Sequence, residues 1–336
     1  MAKPKLNGEI MSATKILEKF IRIVVVAVVT FSVLEMVSWF AAIRGFRHKY
    51  DIPEHPYKYM LKSRKIITFD ELYKQISDKL VRGPSGLEYN ARPIVIFGCS
   101  FAYGLHLKYK ETLSYKISEK MKMPVFNRAI DGAGVQHMLW QLKNEKFLDT
   151  IKNPKYIIYV WINDQMRRLD MYGWLYKFMF TGPYLVEYLR YKEKGGHLVE
   201  VHDMFPLSRN LLLVNLFMYW RNKSESKKFL SNTKFRDKKL NILGMHFLES
   251  KKLVGKKWPN AKFIIIDYDD GRGNYIHEYA DFWEKIEKKG FIYINVKNSF
   301  NVGSYDEKYR LSDYHPNEHA WDVIVPQLVK KLEKIK

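Results

Sequence analysis

Five short apolar runs, separated or followed by stretches of helical periodicity, constrain this chain more than any other feature. The runs are Pro93 to Phe97, Val125 to Asn127, Tyr156 to Ile162, Lys262 to Asp267 and Phe291 to Asn295. Helical patterns lie at Thr112 to Met121, Val135 to Leu148, Leu243 to Lys257, Tyr275 to Lys289 and Glu318 to Lys334. Strands that are apolar on both sides need cover on both faces, and strand, helix, strand repetition predicts a parallel sheet between two helical layers. In such sheets the reactive groups collect beyond the carboxyl ends of the strands.

A chain of 336 residues can bury a large core and still carry a lid or a small second domain. The folded body is expected over 91–334. One stretch within it, Met171 to Lys239, separates the third and fourth runs and is too long for a simple crossover. It is rich in Trp, Tyr, Phe, Leu and Lys, with a helical run at Leu211 to Trp220, and reads as a helical insertion. It either caps the site or packs its aromatics inward. Residues 44–90 are polar and punctuated by Pro53, Pro56, Gly83, Pro84 and Gly86, and read as a stalk.

Ahead of the stalk, Ile23 to Ile43 carries a single charge, Glu35. As a helix it would measure about 31 Å, one bilayer crossing. Residues 1–22 form a leader with Lys3, Lys5, Lys15, Lys19 and Arg22, and Arg44, Arg47 and Lys49 follow the apolar segment. The expectation is an uncleaved transmembrane anchor with a cytoplasmic amino terminus. Ile23 to Leu34 as a signal-peptide core is the competing reading. Glu35 is either a contact to another membrane protein or a side chain that snorkels from a tilted span.

Lys and Arg number 57 against 36 Asp and Glu, a net charge of +21. Such a charge suits nucleic acid, an anionic membrane or an acidic polymer. The cations are spread along the chain with no Arg-rich arm, zinc-finger spacing or RNP-type aromatic motif, so no nucleic-acid partner is expected. The single cysteine, Cys99, excludes an intrachain disulfide and a thiolate zinc cage, and no metal or cofactor is expected.

Four short blocks carry chemistry. Ile94 to Phe97 runs into Gly98-Cys99-Ser100, a strand ending in a tight turn with a serine at its tip. Its backbone N–H would lie beside a helix amino terminus, where negative charge is stabilised. Asn127 to Gly134 closes the second strand, and Gly132 can bring a backbone N–H close to an oxyanion. Val160-Trp161-Ile162-Asn163-Asp164 closes the third, where Asn163 offers a side-chain N–H to the same oxygen. Ser312-Asp313-Tyr314-His315-Pro316-Asn317 sets a histidine in a loop before the last helix.

In this order the four blocks resemble the SGNH (GDSL-type) hydrolase family over roughly residues 90 to 334. The resemblance implies a flavodoxin-like three-layer α/β/α sandwich, here with an N-terminal transmembrane helix and a helical insertion. It implies Ser100 as nucleophile, His315 as base, and Ser100, Gly132 and Asn163 as the oxyanion hole. The family usually has Asp where this chain has Cys99, a position that does not attack. Its acid commonly lies three residues before the histidine, where Ser312 stands. Asp313 lies two before, a spacing the family's carbohydrate-acetylating branches also use, so Asp313 is the expected orienting acid.

Three function classes follow from the resemblance. One is a membrane-anchored esterase acting outside the cytoplasmic membrane, periplasmic or at the cell surface, on acylated carbohydrate or a lipid ester. Another is an acyltransferase that decorates a surface polysaccharide beside a membrane acyl-donor protein. The third is a catalytically silent SGNH-like accessory protein of such an assembly. His106, His137, His202 and His319 are expected to be ordinary surface or packing residues.

Overall fold

The structure, a computed structural model, describes residues 18–34, 36–37, 66–67, 80–81, 92–144, 148–169, 185–186, 190–201, 232–268, 280–303 and 306–335. The strands are β1 (Ile66–Ile67), β2 (Leu80–Val81), β3 (Ile94–Gly98), β4 (Val125–Asn127), β5 (Tyr156–Trp161), β6 (Leu185–Val186), β7 (Arg190–Lys194), β8 (His197–Val201), β9 (Lys262–Asp267) and β10 (Ile292–Asn295). After the amino-terminal helix at residues 18–34, the body has α1 (Ser100–Tyr103), α2 (Leu113–Met121), α3 (Val135–Lys143) and α4 (Gln165–Arg168). They are followed by α5 (Thr233–Lys257), α6 (Ala280–Lys288), α7 (Val296–Phe300) and α8 (Glu318–Lys334).

Five parallel strands run in the order β10-β9-β5-β3-β4, and β2 adds an antiparallel edge on β4. Counting only the parallel strands along the chain, this is the doubly wound order 2-1-3-4-5, which reverses direction between its first and third strands. Those two are β3 and β5, paired with Gly98 opposite Val160. In sheets of this order ligands bind at that switch point, which here lies where β3 ends.

The period-two alternation of β3, β5 and β9 divides the core between two faces. Ile94, Ile96, Ile158, Val160, Ile264 and Ile266 pack with Leu113 and Ile117 of α2 and Trp321, Ile324 and Leu328 of α8. Val95, Phe97, Ile157, Tyr159, Trp161 and Ile265 pack on the other side with Met138 of α3, Phe247 of α5 and Trp283 of α6. Side-chain caps begin the helices where the pattern predicts: Thr112 accepts from Tyr115 N–H at α2, and Asn317 from Ala320 N–H at α8.

The chain divides into two compact units, Met1–Arg64 with Met204–Trp220, and Lys65–Asp203 with Arg221–Lys336. Two expectations change. The stretch expected as a stalk, 44–90, contributes β2 to the sheet, so the folded body starts before residue 91. The insertion at 171–239 is not wholly helical: β7 and β8 form an antiparallel hairpin, and α5 begins inside it at Thr233. The helical run at 211–220 lies outside the described residues. Of the anchor at 23–43, positions 23–34 and 36–37 are helical, and Ile23, Val26 and Val28 expose their side chains. Position 35 and positions 38–43 lie outside the described residues. Among the described residues no helix is long and apolar enough to cross a membrane, and the first turn of this one carries the Glu18–Arg22 ion pair at 2.6 Å.

Candidate active site

Gly98 ends β3 with φ 150, and a Cβ there would lie 2.9 Å from Ala102 Cβ and 3.0 Å from the Val160 carbonyl. Only glycine lets the chain leave the strand so sharply. Cys99 follows in an extended conformation with its side chain in the apolar core, and Ser100 opens the single turn α1. That turn closes at Gly104, whose φ is 83 and whose N–H donates to the Ser100 carbonyl at 3.0 Å. Asn127 at the end of β4 fixes it from the side, its Nδ2 donating to the Ala102 carbonyl at 2.9 Å and to Ser114 Oγ at 3.2 Å.

Ser100 is 4% exposed, and its Oγ lies 2.7 Å from His315 Nε2. The loop before α8 brings the ring there. Tyr314 takes the left-handed conformation with φ 72, Leu311 N–H donates to the His315 carbonyl at 2.7 Å, and Asn317 N–H donates to the Tyr309 carbonyl. The Phe101 ring packs 4.9 Å from the imidazole. On the far side of that ring, Nδ1 lies 2.8 Å from Asp313 Oδ2, while the His315 backbone N–H donates to Oδ1 at 3.2 Å. With the carboxylate ionised, Nδ1 carries the ring proton and Nε2 is left as an acceptor for the Ser100 hydroxyl. Partial burial opposes ionisation of Asp313, but the His315 ring and N–H, with His106 beyond them, outweigh it and hold the carboxyl below its ordinary value. Ser312 is exposed. The acid bonded to the ring is thus the one two residues before it.

Gly132 and Asn163 occupy the carboxyl ends of the strands that flank β3. Beyond β4 the chain keeps contact with β3, Arg128 N–H donating to the Ile96 carbonyl and Ile130 N–H to that of Gly98. The turn then reaches Gly132, in the left-handed region with φ 71. Asn163 follows the end of β5 and is buried. A buried ion pair links these two loops. Arg168 donates to Asp164 Oδ2 through Nε at 3.1 Å and Nη2 at 2.7 Å, and its Nη1 donates to the Ala133 carbonyl at 2.8 Å. Gln136 Nε2 returns a bond to the Arg168 carbonyl at 2.7 Å. The hairpin supports the same loop, because Tyr191 of β7 packs on Ile130 and Ala133.

Two features escaped the sequence reading. The Arg168 clamp carries no local signal beyond the i, i+4 spacing of Asp164 and Arg168. His106, expected to be an ordinary surface residue, has its Nε2 3.3 Å from Asp313 Oδ2, the oxygen that also faces His315.

The arrangement defines a serine, imidazole, carboxylate row at the switch point of a doubly wound sheet. The chain matches no family model and no curated protein by sequence. Solved structures that resemble it are lipolytic proteins of the G-D-S-L family and carbohydrate esterases. A member of the lipolytic G-D-S-L family from Veillonella parvula is 11% identical, with a TM-score of 0.42 over 73% of this chain and 100% of its own. An acetyl xylan esterase from Butyrivibrio proteoclasticus is 10% identical, with a TM-score of 0.42 over 73% of this chain and 64% of its own. A phospholipase A1 from Streptomyces albidoflavus is 11% identical, with a TM-score of 0.40 over 72% of this chain and 99% of its own.

Proposed function

We propose that the chain is a serine-dependent ester hydrolase or acyl transferase of the SGNH type, acting on O-acylated carbohydrate outside the cytoplasmic membrane. The hydrogen-bonded row from Ser100 through His315 to Asp313 carries this reading. Ser100 Oγ attacks the ester carbonyl while His315 Nε2 takes its proton, and the ring returns that proton to the departing alcohol. Asp313 keeps the proton of the resting ring on Nδ1 and stabilises the imidazolium. The N–H groups of Ser100 and Gly132 and the Asn163 amide are the donors to the developing oxyanion, each worth about 3 kcal/mol in acyl-transfer enzymes. Water or a sugar hydroxyl then resolves the acyl-enzyme, with His315 again acting as base.

The two-residue spacing of Asp313 and His315 favours carbohydrate-directed chemistry within the family. The apolar segment 23–43, between two groups of cations, favours attachment to a membrane with the body on the far side, and the family resemblance suggests a membrane acyl-donor protein as partner. The test is fluorophosphonate labelling of the full chain together with release from an activated acetyl ester. Labelling and release that both vanish in Ser100→Ala support the enzyme. A folded protein that neither labels nor releases acetate overturns it and leaves the silent accessory reading. Transfer of acetyl to an added oligosaccharide selects acyl transfer over hydrolysis.

A further inference from the structure

We propose that His106, Asp313 and His315 together form a binding site for a borderline divalent cation, zinc above all, whose occupancy switches the Ser100 site off. One ligand atom from each residue, two imidazole nitrogens and a carboxylate oxygen, lies within 4.8 Å of the other two. Within that set Asp313 Oδ2 is 3.3 Å from His106 Nε2 and 2.8 Å from His315 Nδ1. A tetrahedral zinc with ligands at about 2.1 Å separates them from one another by about 3.4 Å. Small side-chain adjustments therefore convert the cluster into three corners of that tetrahedron. Solvent supplies the fourth, since the His106 and Asp313 side chains are 57% and 43% exposed.

The donor set narrows the choice of metal. Two imidazoles with one carboxylate suit zinc, copper or nickel, whereas magnesium and calcium want oxygen. His106 adopts φ 67, a conformation that L-residues other than Asn, Asp and His rarely take. Its ring meets that of His315 edge to face, with centroids 5.8 Å apart at 85°.

The consequence follows from proton accounting on one ring. In the resting site Nδ1 bears the proton and Nε2 accepts from Ser100. A metal on Nδ1 takes that nitrogen's lone pair, so the single proton of the neutral ring moves to Nε2. No proton is gained or lost, but Nε2 becomes a donor and cannot receive the serine proton. The metal likewise withdraws Asp313 from its orienting role.

The off-switch rests on the reading of Ser100 as a nucleophile, but the binding does not. The experiment therefore reads both, on the chelator-stripped full chain. Calorimetric titration with zinc chloride measures binding, and the fluorophosphonate labelling rate with and without zinc measures the block. His106→Asn tolerates the left-handed backbone and is a poor zinc ligand, and His106→Gly serves if it fails to fold. The expected result is binding weakened by at least about 10-fold in either variant, the loss that changing even an outer partner of a metal ligand brings, with the blocking zinc concentration raised by the same factor and magnesium inert. His319→Ala, a surface histidine stacked on Tyr309, leaves zinc binding unchanged. Undiminished zinc binding in the His106 variants, or no binding to the parent chain, overturns the proposal. Loss of labelling under every condition sinks the nucleophile reading alone, and the titration still decides the metal.

Discussion

Two imidazoles buried away from solvent make the stability of this fold depend on pH between 7 and 5. His137 is on α3 and His246 on α5, and both are fully enclosed. Burial lowers the His137 pKa to about 3, with the Arg168 charge adding to the effect. Burial likewise lowers that of His246 to about 4, with Lys143 adding to it. The geometry agrees for His137, whose Nδ1 accepts from Gly134 N–H at 3.0 Å, a bond that a proton on Nδ1 would displace. A base with a depressed folded pKa binds its proton only in the unfolded chain over this window. Its contribution is complete above the unfolded value of about 6.5 and is lost as the pH falls toward the folded one. At pH 5 the unfolded imidazole lies about 1.5 pH units below its pKa, so each ring costs about 2 kcal/mol, and the pair about 4. Against a total stability of 5–15 kcal/mol this is a large fraction. Urea unfolding followed by tryptophan fluorescence at pH 7, 6 and 5 measures it. Acidic groups add a further loss, but they are common to the parent and to His137→Asn, whose side chain still accepts from Gly134 and does not titrate. The loss from pH 7 to 5 is expected to be about 2 kcal/mol smaller in that variant. Equal losses in the two proteins, or a flat parent profile, refute the reasoning.

Gly98→Ala combines a φ of 150 with a Cβ 2.9 Å from Ala102 Cβ, and is expected to destabilise by about 3 kcal/mol in the same unfolding assay. Asp313→Asn keeps the fold and lowers esterase turnover by about ten-thousand-fold, whereas the exposed Ser312→Ala leaves it near the parent value; the reverse order would reassign the acid. Arg168→Met removes the guanidinium that pairs with the buried Asp164 carboxylate and should cost about 3–5 kcal/mol, part of which Asp164→Asn restores in the double variant. Additive losses in that unfolding cycle would show that the two side chains do not act as a pair.

The sheet was legible because its strands are apolar on both faces. Val125–Asn127 and Lys262–Asp267 fall on the expected bounds, and β3, β5 and β10 within a residue of them. What the sequence concealed has local causes. β2 is two residues long, too short for any period to register. α5 starts ten residues before the expected Leu243 because Lys234, Arg236, Asp237, Lys238 and Lys239 hide its apolar stripe. The hairpin had a signal: Gly195-Gly196 between two charged strands is a two-residue turn, and both glycines have positive φ, 60 and 79. Its residues read instead as part of a helical insertion. Of the site, Ser100 and His315 were legible from their short blocks, whereas Asp313 came only from the family resemblance, and the structure joins it to the ring. The approach of His106 to Asp313 depends on how two loops fold over the sheet edge, and no pairwise spacing in the chain encodes it.

The departure at Cys99 is instructive on the same terms. A thiol beside a serine invites the idea that sulfur is the nucleophile. The backbone decides otherwise. Leaving β3 through Gly98, the chain turns Cys99 into the apolar layer with Ile94, Ile96, Phe101 and Leu113, fully buried, and presents the next residue at the start of α1. One position along the chain separates the core from the crevice, so side chains at 99 and 100 cannot exchange places without a change of register. Position 99 is therefore free to be whatever the core accepts, and a small polarizable side chain fits it. Position 100 is tied to the imidazole, the glycine turn and the strand order all at once, which is why the proposed chemistry is sought in the hydroxyl.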